Sequence, residues 1–312
     1  MSSPSATSNA AASFEPYRRR LLGLAYRMLG SVADAEDAVQ EAYLRWHRAD
    51  RDNVSDPRAF LMTTTTRICL DMLTSARARR EEYVGPWLPE PVVDSASLAP
   101  DKRTELAEDL SVALLLTLDR LTPLERAAFL LHDVFDFSFG ELAGALERSE
   151  AACRQLAARA RAHVRAVRPR SAAASAHSSE IDAKHAQLMS AFAAAARSGD
   201  LNALMELLAS DVRVTTDGGG KVAAALNVIE GADRAARFVV GAARKGWRDD
   251  FTLRVAAING LAGLIVCSPE GPVQTAAFEI EGDVIRALYV VSNPDKLRHL
   301  SAPSAPHASG GK

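Results

Sequence analysis

Two stretches of this chain carry charge patterns that call for partners. In SVADAEDAVQEAYLRWHR, residues 31–48, Asp34, Asp37 and Glu41 fall on one side of a helical wheel. Ala35, Val39, Ala42, Tyr43 and Trp46 fall on another. In SEAACRQLAARARAHVRAVR, residues 149–168, Arg154, Arg161, Arg165 and Arg168 share one face. From Gly144 to Arg170 there are seven arginines against Glu147 and Glu150. So basic a face suits a polyanion, which an acidic face would repel. The pair therefore points to two kinds of partner, a nucleic acid and a protein surface.

The basic stretch reads as the second member of a helix-turn-helix, capped by Ser149. Such a helix enters the major groove N-terminus first. Its leading residues are Ser149, Glu150, Ala151, Arg154 and Gln155. Arg154 suits guanine edges and Gln155 adenine edges. Arg161, Arg165 and Arg168 lie too far along for base reading and suit phosphates, as does Arg148 at the helix entrance.

Enzymatic chemistry has weaker candidates. Asp217, Glu279 and Tyr289 are the polar groups that an enclosed site in the C-terminal half could use. None of the seven histidines lies between Phe251 and Val291, so a histidine acid–base dyad is unsupported there. Phe238, Trp247, Phe251 and Phe278 read as ordinary core or as the lining of a small-molecule pocket. Cys69, Cys153 and Cys267 have neither disulfide-scaffold nor metal-ligand spacing. No metal or cofactor is expected.

These residues need elements to position them. The 312-residue chain is 48% hydrophobic with a net charge of -2, enough for two or three domains. Residues 1–13 are Ser/Ala-rich, expected to be disordered, and lack the features of a signal peptide. No uncharged apolar run reaches membrane-spanning length, so a soluble, cytoplasmic protein is expected. A helix is expected over Pro16–Leu29, ended by Gly30. Ser31 can cap the next helix, but the Glu or Gln of a capping box is missing three residues on. After the polar loop ADRDNVSDP comes PRAFLMTTTTRICLDMLTSARARR. Four consecutive Thr are poor helix formers, so packing must hold that helix.

Residues 85–103 read as a Pro-rich linker whose Trp87, Leu88, Val92 and Val93 are costly to leave in water, which suggests docking on a domain. Residues 104–168 are helical again, with Thr122-Pro123 opening one helix. A second linker is placed at 169–180 and a disordered tail at 301–312. Between them, helices come first and are followed by a meandering antiparallel sheet, an α+β domain over 181–300.

Three motifs in order, SVADAEDAVQEAYLRW, DPRAFLMTTTTRICLDMLTSARARR and LTPLERAAFLLHDVFDFSFGELAGALERSEAACRQLAARAR, resemble the extracytoplasmic-function sigma factors of bacterial RNA polymerase. The resemblance implies two all-α domains, sigma region 2 over 14–84 and sigma region 4 over 104–168. It assigns core-polymerase binding, on a coiled coil of the largest catalytic subunit, to Asp34, Asp37, Gln40, Glu41, Leu44 and Trp46. It assigns capture of a flipped −10 base to the loop with Asp52 and Asn53. The opened strand would be held by Arg58, Arg67, Arg77, Arg79 and Arg80. Reading of the −35 element falls to Arg148, Ser149, Glu150, Arg154, Gln155, Arg161 and Arg165. Thr74 departs from the pattern where a basic residue is common, and Arg77 stands near enough to compensate.

WLPEPVV, DGGGK and NPDKL further resemble a subgroup with a fused, cone-shaped SnoaL-like (NTF2-like) C-terminal domain that takes the place of a separate anti-sigma protein. Regulatory interdomain contacts are thereby implied for Trp87, Leu88, Pro89, Glu90 and Pro91. The same holds for Asp217, Gly218, Gly219, Gly220 and Lys221, and for Asn293, Pro294, Asp295 and Lys296. The implied partners are core RNA polymerase and double- and single-stranded promoter DNA, with room for an unknown small ligand, no membrane, and a monomeric free state. Two rivals remain: a ligand-sensing regulator independent of polymerase, and a cyclase- or isomerase-like enzyme. Neither accounts for the acidic helix.

Overall fold

The computed structural model describes residues 4–81, 83–93, 111–167 and 179–300. The chain divides into two compact units. Unit 1 draws on Met1–Tyr83, Leu88–Glu90 and Asp94–Ser175, and unit 2 on Val84–Trp87, Pro91–Val93 and Ala176–Lys312. Residues 94–103 of the first expected linker, 169–178 of the second and the tail 301–312 lie outside the described residues.

Unit 1 is all α. Its first bundle is α1 (Pro4–Leu29), α2 (Val32–Arg48), a 3-10 turn (Arg51–Asn53) and α3 (Pro57–Glu81). The disorder expected over 1–13 is corrected from Pro4 onward, because α1 runs back through Pro16. Ala10, Ala11 and Ala12 are strong helix formers. Ala10 is fully buried and Ser13 Oγ accepts a bond from Trp46 Nε1 at 3.1 Å, so tertiary packing holds the extension. The threonine run stays helical for a similar reason. Thr65 and Thr66 are buried, and the Thr66 hydroxyl donates back to the Met62 carbonyl at 2.8 Å.

The second half of unit 1 comprises α4 (Val112–Asp119), α5 (Pro123–Phe129), a π-helical turn (Leu130–Val134), α6 (Phe139–Leu146) and α7 (Glu150–Val167). Capping boxes start α5 (Thr122 with Glu125) and α6 (Ser138 with Glu141). Glu147, left-handed at φ 54, ends α6 and turns the chain into α7. Cys153, Ala157, Ala160 and Val164 bury one face of α7 and leave the basic face outward.

The reach-back carboxylate that a capping box would supply at the start of α2 comes from the linker. Glu90 Oε2 accepts from the Val32 N–H at 2.7 Å, placing a carboxylate at a helix N-terminus. The Glu90 N–H donates to Gly30 O at 2.9 Å, and Tyr26 Oη donates to Glu90 O at 2.7 Å. With Leu88 fully buried, these bonds seat residues 88–90 on the α1–α2 turn.

Unit 2 is α+β, as expected. It contains α8 (Ser179–Ser198), α9 (Leu201–Leu207), β1 (Leu208–Asp217), β2 (Ile229–Glu230), α10 (Ala232–Gly246) and β3 to β6 (Thr252–Ile258, Leu261–Ser268, Gly271–Glu281, Val284–Val291). The strand order is β2-β1-β6-β5-β4-β3. The expected meander holds from β3 to β6, but β6 then pairs parallel to β1, so the sheet is mixed. Met189, Phe192, Leu204, Val212, Val214, Phe278 and Leu288 form the core between helices and sheet.

Glu90→Ala removes the acceptor at the start of α2 and should cost about 1 kcal/mol there. Amide exchange should accelerate in the first turn of α2 and stay unchanged in β4 and β5. Unchanged protection at Val32 would show that Glu90 does not cap this helix.

Candidate functional site

On α2 the i, i+3, i+4, i+7 spacing brings Asp37, Gln40, Glu41 and Leu44 into one stripe. Asp37, Gln40 and Leu44 are exposed and Glu41 is half-buried, bonded to Arg45 at 2.9 Å. Leu44, 39% exposed, gives the acids an apolar neighbour. Asp34 sits half-buried in the first turn, its N–H donating to the Ser31 cap at 3.1 Å. Trp46 requires a correction. It is 2% exposed, its indole is bonded to Ser13 and its ring lies 5.5 Å from that of Phe60. It is core, so it cannot present itself to a partner without unfolding the bundle.

In the loop before α3, Asp52 and Asn53 are exposed, and the Asn53 side-chain amide donates to Asp50 at 2.7 Å. Asp56 caps α3 by accepting from the Ala59 N–H at 3.0 Å. Arg58 and Arg67, expected to face an opened strand, are engaged inside unit 1. Arg67 Nε donates to Ala145 O at 3.0 Å and Nη2 to Gly144 O at 2.9 Å, with Glu147 at 3.1 Å. Its guanidinium thus sits on the carbonyl end of α6, where the helix dipole favours a cation. Arg58 donates to Phe135 O and lies over the Phe137 ring. Arg77, Arg79 and Arg80 fall in the last turns of α3, and their side chains lie outside the described residues.

At the start of α7, Arg148, Ser149, Glu150, Arg154 and Gln155 are all exposed. Arg154 pairs with Glu150 at 2.6 Å and its guanidinium stands 5.1 Å from the Phe139 ring centre, which fixes its direction. Arg165 is exposed. Arg161 is half-buried and ion-paired with Asp133 of the π turn at 3.3 Å, so it ties α7 to that turn and is corrected from a free phosphate contact. Burial holds the Asp133 carboxyl above its ordinary range against the pull of Arg161.

The glycine-rich and C-terminal motifs meet within unit 2. Lys296 Nζ donates to Asp217 Oδ2 at 2.7 Å, both side chains being buried, and lies 4.3 Å from the Trp87 ring centre. Gly219 N donates to Asp217 Oδ1, while Ser292 N and Asn293 N donate to the Asp217 carbonyl. Asn293 caps the short turn Pro294–Lys296 by accepting from Asp295 N at 3.1 Å. Lys221 and Asp295 close the outer side at 2.5 Å, a contact that holds the Asp295 carboxyl below its usual range. Two of the glycines are required by space. A Cβ on Gly218 would stand 2.1 Å from Val222 O, and one on Gly219, at φ +60, 2.2 Å from Asn293 Nδ2.

Other linker residues lie in the same unit. The Pro91 carbonyl meets the His299 ring at 2.7 Å. Asn259 donates its N–H to Val92 O and accepts from the Val92 N–H at its side chain. Sequence reasoning passed over Asn259, although Asn259-Gly260, both at positive φ, is the pair a tight hairpin selects.

The enclosed polar site does not form. Phe278 and Leu288 face the helices. Their neighbours Glu279 and Tyr289 alternate to the opposite sheet face, where the phenol donates to Glu279 at 3.2 Å. Burial, then Glu279, pushes the Tyr289 phenol up. Asp217 is occupied by Lys296. Phe278 packs edge-on against Phe192 at 5.2 Å as core, and Phe238 packs around that core. Among the described residues no His/Cys/Asp/Glu group could hold a metal, and no helix is long and apolar enough to cross a membrane.

Residues 14–79 match the family model Sigma-70 region 2, and residues 111–164 match Sigma-70, region 4. The ECF RNA polymerase sigma factor SigJ of Mycobacterium tuberculosis is 40% identical over 293 residues, covering 91% of each chain. The probable ECF RNA polymerase sigma factor SigI of that organism is 32% identical over 294 residues, covering 93% of this chain and 96% of its own. The crystal structure of M. tuberculosis SigJ superposes with a TM-score of 0.68 at 36% identity, covering 92% of this chain and 98% of that one.

Lys296→Met strips Asp217 of its buried cation and should cost roughly 3–5 kcal/mol. Adding Asp217→Asn should recover part of the loss. Urea unfolding followed by sheet circular dichroism reads both. An unshifted midpoint for Lys296→Met would show that the pair does not hold the motifs together.

Proposed function

Because the chain belongs to the extracytoplasmic-function sigma factors of RNA polymerase, we propose that the outer stripe of α2 docks on core polymerase while α7 selects the promoter. The stripe of Asp37, Gln40, Glu41 and Leu44 carries this reading. An acidic face with an apolar centre suits a basic protein surface and is useless against phosphates. A regulator independent of polymerase has no use for it. The rival enzyme reading falls with family membership, and the chain is an initiation factor.

In this proposal Arg154 and Gln155 read −35 bases, with Arg148 and Arg165 on phosphates. Asp52 and Asn53 lie on the exposed loop suited to a flipped −10 base. Arg58 and Arg67 join the opened strand only after giving up their carbonyl partners on the second helical half, so binding to polymerase is coupled to separating the two halves of unit 1.

Unit 2 adjusts this activity in cis. The support is the division of residues 84–93 between the units, together with the interlock of Asp217, Lys296 and Trp87. A change in the interlock alters the anchoring of a segment whose Glu90 caps α2, the helix that carries the docking stripe.

Asp37→Lys with Glu41→Lys should weaken core-polymerase binding at least tenfold with an unchanged circular dichroism spectrum. Equal affinity in a direct binding assay removes the docking assignment. Arg154→Ala should cost about 1–3 kcal/mol of discrimination at the −35 element. An equal loss on unrelated DNA would make Arg154 a phosphate contact. In vitro transcription by the full chain and by the chain truncated before Asn293 should differ in output. Identical output would leave unit 2 without a part in initiation.

A further inference from the structure

One corner of unit 2 is basic for reasons the proposed function does not use. From Arg234 to Arg248 the sequence holds Arg234, Arg237, Arg244, Lys245 and Arg248 and no acid. Ala235, Ala236 and Val240 bury the inner face of α10, and all five cations are exposed. Arg234, Arg237 and Arg244 lie on one stripe of the helix, spanning about 15 Å.

The stripe is extended by α8. Arg197, in its last turn, stands 5.5 Å from the Trp247 ring centre, and Arg248 stands 5.6 Å from that of Phe251. The Trp247 and Phe251 rings themselves meet edge-on at 6.1 Å. Arg244 Nη2 reaches to 2.9 Å from where a Cβ on Gly199 would be, so Gly199, at φ +77, leaves room for the guanidinium.

Neighbouring acids neutralise only part of this charge. Asp233 pairs with Arg237 at 2.9 Å, and Asp250 with Arg248 at 3.2 Å. Asp200 caps α9 by accepting from Ala203 N, and Asp249 is exposed. Arg197, Arg234, Arg244 and Lys245 have no carboxylate in salt-bridge range among the described residues. The C-terminal ends of α8 and α10 favour nearby cations, which explains one or two of these residues. They do not explain Arg234 at the other end of α10, nor guanidiniums laid over aromatic rings.

We propose that the corner formed by Arg197, Arg234, Arg244, Lys245 and Trp247 grips the phosphate backbone of promoter DNA. A linear row of exposed cations about 15 Å long matches a linear polyanion, whose duplex presents a charge every ~1.7 Å of axis. The guanidiniums resting on Trp247 and Phe251 are partly ordered before binding, so less side-chain freedom is lost on contact. Unit 2 thereby adds a sequence-independent hold on the promoter beyond its role within the chain. This inference rests on the sigma-factor reading, since it needs DNA delivered to the polymerase-bound chain.

The test uses holoenzyme assembled from core polymerase and the full chain, titrated onto promoter DNA over a range of salt. Arg244→Gln with Lys245→Gln should flatten the slope of log K against log salt by about 2, at ~0.9 per lost phosphate contact. Core-polymerase affinity and the melting curve should not change. Arg213→Gln with Arg286→Gln removes the same charge from acid-paired sites in unit 2 and should leave the slope as in wild type. An unchanged slope for the Arg244/Lys245 variant overturns the inference while leaving the sigma-factor reading intact. Weaker core-polymerase binding by that variant also overturns it, assigning the corner to an acidic protein surface. Failure of the wild-type chain to assemble with core polymerase overturns both readings.

Discussion

The buried pair of Asp217 and Lys296 is the constraint around which unit 2 is organised. Two opposite charges out of water are tolerated only when their remaining valences are filled. Here the Gly219 N–H fills one carboxylate oxygen, and the Trp87 face covers the ammonium. That requirement dictates much else. Gly218 and Gly219 must lack a Cβ so that the backbone can wrap the carboxylate beside Asn293. β1 and β6 must run in parallel so that Asp217 stands beside Val291 and accepts from the chain just beyond it. Trp87, from a segment far away in sequence, must be present to exclude water. Three motifs that look unrelated in the sequence are one electrostatic assembly.

Unit 1 is organised by a comparable use of cations on acceptors. Arg67 sits on the carbonyl end of α6, Arg161 on Asp133, and Arg126 reaches both Asp119 and the Met28 carbonyl. The Arg67 bonds and the Arg126 bond to Met28 join the first helical bundle to the second half, while Arg161 ties α7 to the π turn within that half. The Arg67 and Arg126 bonds across the halves satisfy helix-end carbonyls that would otherwise need water. The guanidiniums of Arg148, Arg154 and Arg165 stay exposed, Arg154 beside Glu150.

Local grammar made most elements legible. Thr122-Pro123 and Ser149 mark boundaries, and runs of strand length mark the four strands of the meander. The inward position of Trp46 was also readable, since it continues the apolar spacing of Val39 and Ala42; resemblance to a docking helix pulled it outward. What escaped reading depends on partners distant in sequence. Nothing near Ser31 shows that Glu90 completes its cap, and nothing near Arg67 shows that Gly144 and Ala145 receive it. The parallel pairing of β1 with β6 is of the same kind, because both flanks of β6 read equally well as antiparallel. Glu279 and Tyr289 were misplaced because polarity alone does not say which sheet face a residue takes, whereas register does.

The seat of Arg67 on α6 has a kinetic side. A guanidinium already bonded to two carbonyls must release them before it grips a phosphate, so each chance encounter with bulk DNA begins at a deficit. The apparent affinity for such encounters falls by the fraction of time the seat is vacant. A genome offers an enormous excess of irrelevant phosphates, and on the proposed reading of Arg67 as a strand-holding residue its seat on α6 keeps that one guanidinium from them in the free chain. On that reading the same few bonds that stiffen the helical unit also hold one cation out of the search.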